Sequence, residues 1–167
     1  MTASESHPSL HSSATEVPAQ YVLGIDHVGV AVADLDEAVQ WYARVLGFVC
    51  THEEINEAQG VREAMLSPAK LLAEGAEPAA AAQLQVLAPL TPESTIAKFL
   101  DRNGPGMQQL AYRVSDLDKV TEHLREQGVR LLYDAPRAGT AGSRINFLHP
   151  KDAGGILVEL VEPGAAH

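Results

Sequence analysis

The stretch Gly24–Tyr42, GIDHVGVAVADLDEAVQWY, decides the fold, because a strand, a tight turn and a helix follow one another within it. Apolar and small side chains alternate from Ile25 to Val32, a pattern typical of a buried strand. Asp34 then offers a helix N-cap, and Gly47 is expected to end the helix. This unit therefore carries His27 near the start of its strand.

The same design returns 82 residues further along the chain. Residues 108–120, QQLAYRVSDLDKV, overlay residues 26–38, DHVGVAVADLDEA, so that Gln109 takes the place of His27. Self-similarity at a fixed offset indicates two copies of one supersecondary unit. Each copy is too small to hold a comfortable core alone, so we expect the two to pair.

Each copy is expected to contain a strand, a helix and three further strands. The later strands are predicted at Phe48–Ile55, Val61–Leu66, Ala82–Leu87, Arg130–Asp134, Arg144–Leu148 and Ile156–Glu162. The sequence therefore predicts an α+β fold of two tandem βαβββ modules in a single domain over residues 22–163. Module 1 covers about 22–90, a linking helix 92–103, and module 2 about 104–163.

Composition restricts the possible partners. The chain has 167 residues, a formal net charge of −10 and a pI near 5.0, which argues against nucleic acid and anionic membranes as partners. No apolar run reaches the length of about 20 residues that a membrane span needs. An anionic small molecule remains possible, provided that basic side chains meet it locally.

The N-terminal residues and the single cysteine indicate in which cellular compartment the protein is expected. Residues 1–21 are rich in Ser, Ala and Pro and have no apolar h-region, so we expect a disordered tail rather than a signal peptide. The single cysteine, Cys50, allows no internal disulfide and suits a reducing compartment. We therefore expect a cytoplasmic protein, with Cys50 as a small core residue.

Four polar residues occupy positions that the repeat makes equivalent. His27 matches Gln109 on the first strand of each copy, and Gln85 matches Glu159 on the last strand. Taken singly, each is more often a structural residue. If the sheets of the two modules face each other across a pseudo-twofold axis, all four converge in one cleft. An imidazole, a carboxylate and two amide oxygens suit Co²⁺, Mn²⁺, Ni²⁺ or Zn²⁺.

Several segments are similar to one family. These are IDHVGVAV (25–32), NEAQGVREAML (56–66), QVLAPL (85–90), GPGMQQLAY (104–112), GTAGSRINFLHPK (139–151) and LVEL (157–160). On these segments the chain resembles the vicinal oxygen chelate superfamily, and within it the methylmalonyl-CoA epimerases, over about residues 22–163. The resemblance implies a vicinal oxygen chelate fold with a metal site in its cleft.

The resemblance also implies roles for individual residues. It implies a divalent metal, Co²⁺ first, held by His27, Gln85, Gln109 and Glu159, and a general base at Glu63. The chain departs from the family at Gln109, where epimerases often carry a histidine; a glutamine oxygen can still bind a metal, though zinc less well. Glu63 corresponds to Ile145 in the second copy, and this asymmetry favours catalysis over a structural role.

The implied activity is the epimerisation of (2R)- and (2S)-methylmalonyl-CoA by removal of the C2 proton through an enolate. Glu63 would act on one enantiomer and Glu159 on the other. A homodimer is implied as well, with propionate metabolism as the context. Ser143 is our candidate for the substrate carboxylate, and Lys98 and Arg144 for the phosphates of the CoA thioester.

Two other functions use the same fold. One is a glyoxalase I-like lyase acting on a glutathione hemithioacetal, which would employ a similar metal site. The other is a metal-free binding protein of the bleomycin-resistance type, which Gln109 would suit. The carboxylates of Glu63 and Glu159 weigh against the binding protein, because a sequestering pocket needs no bases around an acidic carbon. Glyoxalases lack the resemblance at QGVRE (59–63).

Overall fold

The structure is a computed structural model that describes residues 16–165. Residues 1–15 of the predicted tail, which spans residues 1–21, lie outside the described range. From Glu16 to Tyr21 the chain forms helix α1, so the prediction of disorder is wrong for these six residues. Tyr21 packs against the apolar cluster formed by α5 and the second module's strands, which gives the helix a partner.

Two βαβββ modules follow, as predicted. The first consists of β1 Val22–Ala31, α2 Leu35–Leu46, β2 Phe48–Asn56, β3 Val61–Pro68, α3 Ala69–Ala73 and β4 Gln83–Pro89. Helix α4, Thr95–Asn103, links it to the second module. That module consists of β5 Gly106–Val114, α5 Leu117–Glu126, β6 Arg137–Ala138, β7 Arg144–Leu148 and β8 Val158–Glu162. Short 3₁₀ turns lie at Pro78–Ala80, Thr140–Gly142 and Pro150–Asp152.

The helix ends follow the capping residues. The Asp34 side chain accepts a hydrogen bond from the backbone N–H of Glu37 at 2.9 Å, and Gly47 ends α2 in the left-handed region with φ 68°. Helix α4 begins three residues later than the sequence predicts. The reason is Ser94, whose hydroxyl accepts from the backbone N–H of Ala97 at 3.1 Å and so sets the first turn.

The eight strands form one mixed sheet, in the order β2-β3-β4-β1-β5-β8-β7-β6, which curls into a half-barrel. The modules join edge to edge through the antiparallel β1–β5 pair. Over residues 16–165, two separate sheets that face each other, the arrangement considered from the sequence, do not form. Within each module the first strand runs parallel to the last, β1 to β4 and β5 to β8. The edge-to-edge symmetry still brings the equivalent strands together at the centre of the sheet.

Helices α2 and α5 cover one face of this sheet, while α4 packs at one end of the other face, the hollow one. Leu35 of α2 packs with Ala64 and Leu66 of β3, and Leu117 of α5 packs with Leu160 of β8. Because side chains alternate along a strand, the neighbours of these residues face the hollow of the half-barrel. Among the described residues, no helix combines the length and apolarity needed to cross a bilayer.

The strand predicted at Arg130–Asp134 does not form. Only an isolated bridge from Leu131 to Leu148 remains, and the buried Asn146 side chain replaces the missing ladder. Its Oδ1 accepts from the backbone N–H of Tyr133 at 3.2 Å, while its Nδ2 donates to the Tyr133 carbonyl at 3.0 Å. The expectation for Cys50 is also wrong, because this residue is exposed on the edge strand β2.

Replacing Asn146 with Ala is expected to lower the free energy of unfolding by about 2 kcal/mol, because both backbone groups of Tyr133 lose their partner. Urea unfolding measures this change. The matched control is Asn103→Ala on the exposed end of α4, which should change stability by less than about 0.5 kcal/mol. An equal effect of the two substitutions would contradict the structural role given to Asn146.

Candidate metal and acid–base site

Two rows of residues cross the centre of the sheet. In one row Gly29 of β1 pairs with Gln85 on β4 and with Gln109 on β5. In the next row Ala111 of β5 pairs with His27 on β1 and with Glu159 on β8. The small residues Gly29 and Ala111 are equivalent in the repeat, and each lies between two long polar side chains. The alternation leaves room for the four polar groups to meet.

The structure brings the four predicted metal ligands together, and all four are buried. His27 Nε2 lies 3.1 Å from Glu159 Oε2. The Gln109 amide nitrogen lies 2.8 Å from Gln85 Oε1 and 2.9 Å from Glu159 Oε2. Burial is tolerable for the Glu159 carboxylate because it accepts hydrogen bonds from both sides.

His27 is held between two carboxylates. Its Nδ1 donates to Asp26 Oδ1 at 2.8 Å, and Asp26 Oδ2 in turn accepts from Arg113 Nε at 2.8 Å. Burial would lower the pKa of His27, but the hydrogen bonds to Asp26 and Glu159 prevail and raise this pKa to about 9. The Asp26 carboxylate, bound to Nδ1, therefore fixes the orientation of the His27 ring, as is usual for metal-binding histidines.

Glu63 lies beside this cluster on β3 and is 2% exposed. Its Oε1 accepts from the Thr140 hydroxyl at 2.6 Å, and its Oε2 accepts from Gln85 Nε2 at 2.9 Å. Burial raises the pKa of Glu63 to about 7, and the negative charge of Glu54 directly opposite on β2 acts in the same direction. A carboxyl group that titrates near neutral pH suits general acid–base work.

The cluster lies between two cavities. The larger has a volume of about 480 Å³ and is lined among others by Asp26, His27, Thr51, Thr140, Ser143 and Glu159. The smaller has a volume of about 380 Å³ and is lined among others by Val61, Leu87, Gln109, Tyr133, Arg137 and Phe147. A small molecule in the larger cavity can therefore reach His27 and Glu159 directly.

The three predicted substrate-binding residues lie in different places. Ser143 lines the larger cavity, as the prediction requires. Arg144 points to the opposite face of β7, where it pairs with Asp118 of α5 at 2.9 Å and with Glu162 at 3.3 Å. Lys98 is exposed on α4 and is not among the residues that line either cavity. The structure therefore does not support phosphate binding by Arg144 and Lys98.

Sequence reasoning missed three groups that hold the site. Asp26 precedes His27 directly, and a β-bulge between Ile25 and His27 lets both side chains reach the larger cavity. The position of Asp26 directly before His27 is the feature of the sequence that could have identified it. Arg113 and Thr140 act across long separations in the chain, and nothing in the local sequence marks them. His52 is partly exposed on β2 and hydrogen-bonds the side chain of Glu54.

The donor set fits a divalent metal of intermediate hardness. Two atoms bound about 2.1 Å from one metal lie about 3 Å apart at the usual coordination angles, which matches the 3.1 Å between His27 Nε2 and Glu159 Oε2. In the part of the chain that the structure describes, no group of three or more His, Cys, Asp or Glu residues could hold a metal. The oxygens of Gln85 and Gln109 are therefore needed to complete the site.

Comparison with known proteins gives one family. Residues 26–147 match the family described as Glyoxalase/Bleomycin resistance protein/Dioxygenase superfamily. The chain is 32% identical to human mitochondrial methylmalonyl-CoA epimerase, covering 92% of this chain and 85% of that one. It is 60% identical to the solved methylmalonyl-CoA epimerase of Mycobacterium tuberculosis, with TM-score 0.78 and coverage of 86% and 90%.

A second solved structure carries a ligand. It is a variant of Streptomyces coelicolor methylmalonyl-CoA epimerase in complex with 2-nitronate-propionyl-CoA. This chain is 43% identical to it, with TM-score 0.77, and the likeness covers 86% of this chain and 99% of that one. The likeness thus spans both modules and the cleft between their central strands.

Proposed function

The chain belongs to the methylmalonyl-CoA epimerase family of the glyoxalase/bleomycin resistance protein/dioxygenase superfamily, and from this premise we propose that it interconverts (2R)- and (2S)-methylmalonyl-CoA. One observation of the site carries the proposal. Glu63 is a buried carboxyl group whose pKa is raised to about 7, and it lies against the polar cluster without a counterpart in the second module. Such a group is suited to removing the proton from C2.

We propose that the reaction proceeds through an enolate. The C2 hydrogen lies between a thioester and a carboxylate, so its removal places negative charge on the thioester oxygen. A divalent metal held by His27, Gln85, Gln109 and Glu159 would supply Lewis acidity toward these oxygens. Of the metals that suit the donor set, we propose Co²⁺ as the native one, ahead of Mn²⁺, Ni²⁺ and Zn²⁺.

The two carboxylates divide the proton transfers. The Glu63 carboxylate takes the C2 proton from one enantiomer, and the protonated Glu159 returns a proton to the other face of the carbon. The reverse reaction exchanges these roles. After a conversion the two carboxyl groups regain their starting protonation by exchange with solvent, so protons balance before the next turnover. Gln85 and Gln109 link the two groups through hydrogen bonds, which keeps both carboxylates beside the same small volume.

Substrate recognition is proposed at the larger cavity. Ser143 is buried in its wall and offers a hydroxyl group to the substrate carboxylate. Thr140 belongs to the 3₁₀ turn Thr140–Gly142 directly before Ser143, and its hydroxyl group donates to Glu63, which ties this turn to the base. The CoA portion of the thioester would extend from this cavity toward solvent.

We also propose that the protein acts as a cytoplasmic homodimer. Support for the dimer comes from exposed apolar side chains on α2 and on edge strand β2, namely Trp41, Val45, Leu46 and Val49. Exposed apolar groups that lie together commonly mark protein interfaces. Light scattering after size-exclusion chromatography measures the molecular mass, and a monomer would contradict this part of the proposal.

A reporter enzyme that accepts only the (2R) epimer tests the activity. We expect added protein to make the whole of a (2S)-methylmalonyl-CoA sample available to the reporter. The glyoxalase I-like alternative predicts turnover of a glutathione hemithioacetal instead, and the binding-protein alternative predicts turnover of neither compound. The identity with epimerases over most of the chain favours the first outcome.

The activity should depend on pH through Glu63. Protonation removes the base, and the pKa of this group is raised to about 7 by burial and by the nearby Glu54. We therefore expect kcat/KM to rise with pH below about 7 and to level off above it. Glu54→Gln removes the opposing charge, so the rising limb should move to lower pH. A rising limb that stays in place would contradict this assignment.

A further inference from the structure

The Gln109 carboxamide nitrogen lies at the centre of the polar cluster. Gln85 Oε1 is 2.8 Å away, Glu159 Oε2 is 2.9 Å away and His27 Nε2 is 3.3 Å away. These three atoms are the ones that would bind a metal together with Gln109. Gln109 Nε2 therefore lies among these three atoms. Coordination of a metal would instead need Gln109 Oε1 at this place.

The chemistry of the neighbours explains this orientation. An amide –NH₂ group carries two hydrogens, and the two nearest acceptors, Gln85 Oε1 and Glu159 Oε2, receive one each. Turning the amide would set its oxygen against both of these oxygens. Gln85 cannot turn in compensation without loss, because its own –NH₂ group donates to Glu63 Oε2 at 2.9 Å and to the Thr140 hydroxyl at 3.0 Å.

Gly29 makes room for this arrangement. A Cβ atom on Gly29 would lie 2.4 Å from Gln109 Cγ, closer than a Cβ atom approaches another side chain, and 3.2 Å from its Nε2, a tight contact. The backbone of Gly29 has an ordinary negative φ, so the requirement for glycine is steric rather than conformational. The absence of a side chain at this position in the centre of β1 therefore sets the path of Gln109 into the cluster.

We propose that the Gln109 carboxamide is a built-in occupant of the metal position, and that Gly29 is the positioning residue that admits it. A divalent metal binds only when this carboxamide turns, so that Oε1 replaces Nε2 and two internal hydrogen bonds are given up. Metal binding is thereby weakened, and the buried cluster keeps satisfied hydrogen bonds without a metal. The inference rests on the proposed function, because it concerns the metal site of that function.

Side-chain amide hydrogen exchange tests the proposal on the full chain without measuring activity. The ¹⁵N-labelled protein is compared before and after saturation with Zn²⁺, and the Gln109 –NH₂ signals are identified by their loss in Gln109→Glu. We expect these hydrogens to be protected in the metal-free protein and to exchange at least about tenfold faster with Zn²⁺ bound. Unprotected hydrogens without metal, or equal protection in both states, would overturn the proposal.

A pair of glycine variants tests the role of Gly29. Gly29→Ala should remove the protection in the metal-free protein, because the added Cβ displaces Gln109. The matched control is Gly106→Ala on the neighbouring strand β5, where an added Cβ meets no atom within 4 Å. Protection must persist in this control. If the Gln109 hydrogens stay protected in Gly29→Ala as well, the positioning role of Gly29 is overturned.

Metal affinity, measured by calorimetry, separates this proposal from the proposed function. In Gln109→Glu an oxygen replaces the amide nitrogen, and we expect Zn²⁺ to bind at least about tenfold more tightly than to the wild type. Gln127→Glu adds the same charge at the exposed C-cap of α5 and should leave the affinity within about twofold. Failure of Zn²⁺ to bind to either wild type or Gln109→Glu would overturn this proposal and the proposed metal site, whereas the epimerase activity itself is decided separately by the reporter assay. Binding together with an unprotected Gln109 amide would overturn this proposal alone.

Discussion

Replacing Glu63 with Gln is expected to lower kcat for epimerisation by about 10³-fold, within the range that a positioned acid–base group contributes. The side chain keeps its shape and its contact with Thr140, but it loses the carboxylate that accepts the C2 proton. Exchange of the C2 proton should disappear from one enantiomer and persist in the other, where Glu159 is the base. Proton NMR of each enantiomer in D₂O measures this. Unchanged exchange from both enantiomers would contradict the role of Glu63.

Thermal unfolding at several pH values distinguishes a loss of activity in Glu63→Gln from a loss of folding. The pKa of Glu63 is raised by burial from 4.5 to about 7, so the folded state binds more protons than the unfolded state between these values. Its contribution to stability therefore falls as pH rises through this window. Gln has no such dependence, so Glu63→Gln should gain stability relative to wild type from pH 5 to pH 8. Glu57→Gln, exposed in the β2–β3 turn, is the matched control for both readouts.

Glu159→Gln is expected to have the second large effect, because this residue is assigned two roles. Loss of its charge should weaken Co²⁺ binding by about 100-fold, since a carboxylate is replaced by a neutral amide. It should also lower kcat by at least about 10²-fold, because the second base is lost. Calorimetry with Co²⁺ and the epimerisation assay measure the two effects separately.

The exposed Glu74, directly after α3, provides the matched control, since Glu74→Gln removes the same charge outside the cluster. It should leave both the metal affinity and kcat unchanged. Wild-type metal affinity in Glu159→Gln would show that this carboxylate is not a ligand. Wild-type exchange from both enantiomers would show that it is not a base.

The convergence of His27, Gln85, Gln109 and Glu159 could be predicted because it depends on local patterns. Strand alternation decides which side chains share a face, and the repeat decides which strands are equivalent. Neither depends on the details of packing. The edge-to-edge joining of the modules through β1 and β5 was not predicted, yet it places equivalent strands side by side and gives the same convergence.

The errors concern interactions between residues far apart in the sequence. The strand predicted at Arg130–Asp134 is replaced by the Asn146 side chain, which satisfies backbone groups from the neighbouring strand β7. Arg144 begins strand β7 as predicted, but its side chain pairs with Asp118 of α5 on the helical face. Periodicity locates such residues on elements but does not say which distant partner they meet.

Exchange of the C2 proton of methylmalonyl-CoA with D₂O, followed by proton NMR, tests the central claim most directly. The purified protein is measured as prepared, after treatment with EDTA, and after Co²⁺ is restored. We expect the C2 signal to disappear with the native or restored metal and to persist after EDTA. Persistence with every metal would contradict enolate chemistry at this site. Equal loss of the C2 signal after EDTA would contradict the dependence of this exchange on a metal.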